Sequence, residues 1–167
     1  MERNYQVTQV AYPQAKEFVA AIAKPFDGKD FGVVAKALGI SWADINGGDP
    51  ELQVHEMSLS SLGLQLTFED EGVVLEKEYH DPGDGPFILT ICTFWGYEES
   101  LKKYEGPLWE AIVFDDSLED VEKKIGKPTK INTRDSIYFW EYGDFRLTIQ
   151  WAEAKKIRVV AYWMKQS

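Results

Sequence analysis

Gly63-Leu-Gln-Leu-Thr-Phe68 alternates apolar with polar side chains, the period of a strand with one buried face. Asp144-Phe-Arg-Leu-Thr-Ile149 repeats that alternation 81 residues later, and the Leu-Thr pair is common to both. The similarity extends upstream. Phe26-Asp27, a helical pattern and Leu38-Gly39 parallel Phe114-Asp115, a helical pattern and Ile125-Gly126, with the two helix-ending glycines 87 residues apart. Equal order with slightly unequal spacing is the mark of a repeated unit whose loops differ in length. The pattern predicts an α+β fold of two α-β-β-β units, about residues 26–95 and 109–164, in which antiparallel meander sheets carry the helices. The whole of 1–167 is then one domain, a size that buries a substantial core.

Working outward, residues 13–25 read as a helix, with Pro13 in the first turn and Ala15, Phe18, Val19, Ile22 and Ala23 on one face. A second helix fits 31–38, with Asp30 as N-cap and Gly39 as the stop. Ile45 to Pro50, INGGDP, reads as a turn. Glu69-Asp70-Glu71-Gly72 reads as an acidic hairpin turn into a Val73-Val74-Leu75 strand, and residues 80–86, HDPGDGP, as a second reversal. Residues 87–95, FILTICTFW, are apolar or Thr throughout, so both faces of that strand are expected to be covered. In the second half Ser117 and Asp120 form a capping-box pair, Gly126 and Pro128 stop the helix, and strands are expected at 136–142, 144–151 and 156–164.

The chain carries a formal net charge of −10, and the excess is localised. Residues 44–84 hold eleven acids against Lys77 alone, while the flanking segments are nearly neutral. Such a segment is either a solvated acidic face or a surface for a basic partner. It repels phosphate, so direct nucleic-acid binding is not expected. No apolar run reaches the ~20 residues of a membrane span. The start, MERNYQVTQVAYPQAKEF, has no signal-peptide pattern, and the lone Cys92 has no intrachain partner. The expectation is a cytoplasmic protein.

Motifs for catalysis are missing. His55 and His80 are the only histidines and neither has a metal-ligand spacing; HExxH, CxxC, GxSxG, the P-loop and GxGxxG do not occur. His55 reads as a strand residue and His80 as a solvated turn residue. Cys92 lies in an apolar strand, where a thiol packs as a small hydrophobe. The chain is therefore read as a non-enzyme with no cofactor and no metal; a hydrolase using two acids of the 44–84 segment is the competing reading.

Two groups of candidate partner-binding residues emerge. Glu69, Asp70, Glu71, Asp81 and Asp84 are acids in the two turns. Trp95, Tyr97, Glu98 and Glu99 stand where the apolar strand gives way to charge, a setting common to interface anchors. Trp151 and Trp163 read as core.

Tyr104-Glu-Gly-Pro-Leu108, Phe114-Asp-Asp-Ser-Leu-Glu-Asp-Val121 and Ile125-Gly-Lys-Pro128 together resemble a pattern of bacterial immunity proteins from polymorphic-toxin and bacteriocin systems. Asp49-Pro-Glu-Leu52, Gly63–Phe68 and Gly72-Val-Val-Leu75 are similar to the first half of pyocin-type immunity proteins. One departure is Gly106-Pro-Leu where that pattern has Gly-Leu-Pro. The resemblance spans most of residues 30–163, through turns and caps, and carries no interface residue over by motif. It implies a protein that binds and neutralises a cognate toxin in the producing cell, and the charge fits a basic nuclease domain. An inhibitor or adaptor outside toxin systems is the alternative.

Overall fold

In the computed structural model, residues 11–45, 47–49, 51 and 53–166 are described. The fold is α+β, as the sequence reading expects. Helices α1 (Ala15–Ala21) and α2 (Lys29–Leu38) precede β1 (Gly47–Asp49), β2 (Val54–Leu59) and β3 (Leu64–Asp70). A short helix α3 (Glu71–Val74) and a loop lead to β4 (Phe87–Trp95). The second half runs α4 (Leu118–Ile125), β5 (Lys130–Asn132), β6 (Ile137–Glu141), β7 (Phe145–Glu153) and β8 (Lys156–Met164). The eight strands of the described residues form one antiparallel sheet in the order β1-β2-β3-β4-β8-β7-β6-β5. Each half is thus a meander of four strands, one more than the sequence pattern predicts, and the halves join along β4 and β8.

The registers of the two halves coincide. Leu66 faces Met57 on one side and Cys92 on the other, while Leu147 faces Trp140 and Tyr162. Cys92 in turn faces Tyr162 across the seam, so a pseudo-twofold axis passes through that pair. Even the edge strands correspond, with Gly47 opposite Glu56 and Lys130 opposite Phe139.

One face of the sheet carries the helices and the core. Phe18 of α1 meets Phe94 at 5.0 Å between ring centroids, Phe31 of α2 meets Phe68 at 5.1 Å, and Phe94 also packs on Tyr162 at 4.7 Å. Val34 of α2 and Val121 of α4 are fully buried on the same side. Each enclosed Phe or Val of this kind contributes about 1.5–3 kcal/mol by leaving water. Gly39 ends α2 in the left-handed region, at φ 66°, and Ser117 caps α4 with Asp120 completing the box.

Five local expectations are corrected. Helix α1 stops at Ala21, because Ile22 and Pro25 bridge to Leu89 and Ile88 along the stretch of β4 that β8 does not reach. Gly28, not Asp30, is the N-cap of α2. Gly47–Asp49, read as a turn, is edge strand β1; a Cβ at Gly48 would meet the Val54 carbonyl oxygen at 2.1 Å, so only glycine permits this pairing. Asn46 and Pro50 of that turn, and Leu52, lie outside the described residues. Val73 and Val74 are not strand but the end of α3, because the Asp70 side chain caps a helical turn there.

The fifth correction concerns the far face of the sheet, which none of the helices α1, α2 and α4 among the described residues covers. Cross-strand partners share a face, so Ile91, Trp163, Arg146 and Glu141 form one transverse row, and Thr93, Ala161, Thr148 and Phe139 another. Ile91, Thr93 and Trp95 of β4 are consequently half-buried, and Trp163, read as core, is 38% exposed with its indole N–H donated to Thr148 Oγ1. Among the described residues, no helix is long and apolar enough to cross a membrane.

Candidate functional site

The first half differs from the second in what joins its last two strands. Chain 71–86 leaves the sheet between β3 and β4 and forms a lobe holding Glu71, Glu76, Glu78, Asp81 and Asp84, with Lys77 its single base. Asp70 organises this lobe. Its Oδ1 accepts the N–H groups of Gly72 at 2.8 Å and Val73 at 3.3 Å, and its Oδ2 those of Gly83 at 2.8 Å and Gly85 at 3.1 Å. One carboxylate therefore pins both ends of the lobe, and the Glu71 N–H donated to the Pro86 carbonyl closes its base. Burial alone would raise the Asp70 carboxyl; the backbone N–H groups of Gly83, Gly85, Val73 and Gly72 outweigh it and hold the group below the usual carboxylate range.

Asp70 is fully buried and its oxygens are engaged, so the expectation of an exposed partner-binding acid is corrected. His80 is corrected with it. Its side chain is only 15% exposed, and Nε2 lies 2.6 Å from Asp70 Oδ1 in close contact without the alignment of a hydrogen bond. The ring packs on Gly72, where a Cβ would meet it at 2.2 Å. The remaining acids part company. Glu71 pairs with Lys77, and Glu69 lines a cavity of about 430 Å³ on the uncovered sheet face beside Thr90, Arg146 and Trp163. Asp81 and Asp84 are exposed on the lobe.

Asp84 also stands on the rim of a second cavity, of about 460 Å³. Its walls are Phe26, Trp42 and Phe87, and its charged lining residues among those described are Asp27 and Asp84. The rings brace one another, Phe26 to Trp42 at 4.9 Å and Trp42 to Phe87 at 5.6 Å, with His55 against Phe87 at 4.6 Å beneath. The early end of α1 makes this cavity, because Phe26 donates its N–H to the Phe87 carbonyl oxygen at 3.1 Å and so places Phe26 and Asp27 beside the lobe's return. Sequence reasoning missed Phe26, Asp27, Trp42 and Phe87 as a group. Each is unremarkable alone, and only the pairing of 22–26 with β4 brings them together.

The Trp95–Glu99 group lies at the other end of β4, about 26 Å away for a strand of that length. Tyr97 is half-buried, its hydroxyl bonded to Asp115 and its ring capped by the Lys103 ammonium at 3.6 Å from the centroid. The Arg158 guanidinium, bonded to Glu98, holds that carboxyl below its usual range. Glu99 is exposed, and Trp95 lies half-buried on the uncovered face. The two candidate groups are thus separated by about the length of a strand. Cys92 is fully buried at the seam, and burial pushes its thiol well above the ordinary range. Among the described residues no cluster of three His, Cys, Asp or Glu side chains could hold a metal ion.

No family model matches this chain, and no curated protein matches it. A solved structure with a similar path is the crystal structure of a DUF4309 family protein, YjgB, from Bacillus subtilis subsp. subtilis str. 168, at 14% identity and a TM-score of 0.48 over 93% of this chain and 88% of that one. At that distance the likeness says nothing of what this chain binds or does.

Proposed function

We propose that this chain is a non-catalytic binding protein that captures a basic protein partner through its acidic lobe. The observation that carries the reading is the placement of the charge. The lobe is an insertion into one of two otherwise matching meanders, its acids outnumber its bases five to one, and a buried carboxylate holds it in place. An anchored, predominantly acidic projection attracts an oppositely charged surface from a distance and loses less conformational freedom on contact than a free loop. The finer reading, a cytoplasmic immunity protein that neutralises a cognate toxin, rests on the resemblance of residues 49–75 and 104–128 alone.

Co-expression with the product of the neighbouring reading frame tests the finer reading: that product is expected to be harmful alone and harmless with this chain. Stopped-flow association of the two tests the mechanism. Raising salt from about 50 to 500 mM shortens the Debye length from about 14 to about 4 Å and should slow association by about tenfold or more while changing dissociation little. Converting Glu76, Glu78, Asp81 and Asp84 to amides should reproduce much of that loss. A salt-insensitive association rate would remove the lobe from the interface.

A further inference from the structure

The cavity walled by Phe26, Trp42 and Phe87 is the feature whose chemistry is most selective. Its walls are three aromatic rings, whose π-systems carry negative faces, and its charged lining residues among those described are both carboxylates, Asp27 and Asp84. Anions are therefore repelled. A divalent metal ion is equally ill served, since calcium needs six to eight oxygen ligands and the aromatic walls supply none. A neutral apolar group would leave the carboxylates without a counter-charge. An organic cation satisfies both features, because its alkyl or planar surface lies on the rings while its charge faces the rim. The size, about 460 Å³, falls within the range of small-ligand pockets.

From this arrangement we infer that the cavity between the α1–α2 turn and the acidic lobe is a binding site for an organic cation, an alkylammonium or guanidinium group held by Phe26, Trp42 and Phe87 with Asp27 and Asp84 at the rim. The inference rests on the lobe reading for its natural ligand, a Lys or Arg side chain of the basic partner. The chemistry of the pocket does not depend on that partner. Asp84 joins the two roles, being at once an acid of the steering lobe and part of the pocket rim.

The test titrates the full chain with choline, with its neutral isostere 3,3-dimethyl-1-butanol, and with an arginine residue blocked at both ends. Binding is read from tryptophan fluorescence, with Trp42→Phe as the reference, and from amide shifts of Gly85 and Phe87. Saturable binding of at least one cation is expected, on the order of 1–10 mM and about tenfold tighter than the isostere. The double variant Asp27→Asn/Asp84→Asn, both positions exposed, should keep the fold and reduce that preference to about twofold or less. Trp42→Leu should abolish binding. Equal binding of choline and its isostere, no saturation by either cation, or an unchanged preference in the double variant would each overturn the inference. If the cations bind as expected while partner association proves salt-insensitive, the pocket stands as a site for a free cation and the lobe reading fails by itself.

Discussion

Strand β3 and strand β7 hold the same register and end differently. Past Thr148, β7 shifts register on either side of Trp151 and runs on to Glu153, which pairs with Lys156 across a two-residue turn, and β8 returns at once. Past Thr67, β3 shifts register, runs to Asp70 and releases sixteen residues, 71–86, before β4 begins. The sheet tolerates both because each connection leaves from an end of the sheet, where no neighbouring strand depends on it. A pseudo-symmetric scaffold can thus stay constant while one of its turns acquires charge, an anchor and a pocket. The lesson is where to look: the core follows the symmetry, and the candidate site lies where the symmetry breaks.

Asp70 is the strongest point at which to break the comparison. Asp70→Ala leaves Gly72 and Val73 without their cap and frees Gly83 and Gly85, and should cost about 2–3 kcal/mol. For a chain of this size that lowers Tm by about 5–10 °C. Hydrogen exchange should accelerate across 71–86 while β7 and β8 keep their protection. Uniform loss of protection in both halves would show Asp70 to be an ordinary core residue. The same group sets a pH dependence. Its folded pKa lies below the unfolded value of about 3.9, so the unfolded chain binds more protons and the contribution is fully present above that value. It is lost as pH falls through the folded value. The lobe is therefore expected to open in acid below about pH 4, ahead of the β7–β8 hairpin, and Asp70→Asn should flatten that difference.

The anchor was not legible in the sequence, and the reason is physical. Glu69-Asp70-Glu71-Gly72 reads as a surface turn because any acid in such a run is cheapest in water. What makes the middle one cheaper inside is the return of Gly83 and Gly85, thirteen and fifteen residues on, whose N–H groups have no partner until the chain doubles back. The signal present was Asp70 two residues before Gly72, an N-cap spacing, outweighed by the strand propensity of Val73-Val74. The shared Leu-Thr strand, the helix-stopping glycines and the Ser117 box were legible because each is a local pattern with a local cause. Strand β5 was not, since Lys130-Ile-Asn132 is too short to show a period and is recruited by pairing with β6.

Next in size is a contrast of two glycines. At Gly72 an added methyl group would enter the His80 ring, whereas Gly143, between β6 and β7, has no atom within 4 Å of an added Cβ. Gly72→Ala is expected to cost about 1–3 kcal/mol by overpacking and to displace His80 from Asp70. Gly143→Ala should lie within about 0.5 kcal/mol of the parent. Urea titration measures both, and the imidazole chemical shifts of His80 report the displacement. Equal effects would mean that the lobe is no more tightly packed than the open β6–β7 turn of the second half.

The smallest effect is expected at Tyr97, and it sharpens the comparison between the two ends of β4. There Glu98 is matched with Arg158, the Tyr97 hydroxyl with Asp115 and the Lys103 ammonium with the Tyr97 ring, which leaves Glu99 exposed. A surface whose charges are largely satisfied internally presents little field to a partner, in contrast to the lobe, where five acids share one Lys. Tyr97→Phe removes the hydroxyl and keeps the ring under Lys103, so stability should fall by about 0.5–1 kcal/mol, the net worth of one exposed hydrogen bond. Association with a basic partner should be unchanged in rate and in salt dependence, because the altered group lies about 26 Å from the lobe, several Debye lengths at physiological ionic strength. Tyr97→Ala extends the measurement by uncovering the core edge beneath the ring; it should lower Tm further and still leave the association rate alone. A slower association in either variant at unchanged stability would move the partner's footprint along β4 to this end, and the lobe would then serve as a steering charge for an interface centred elsewhere.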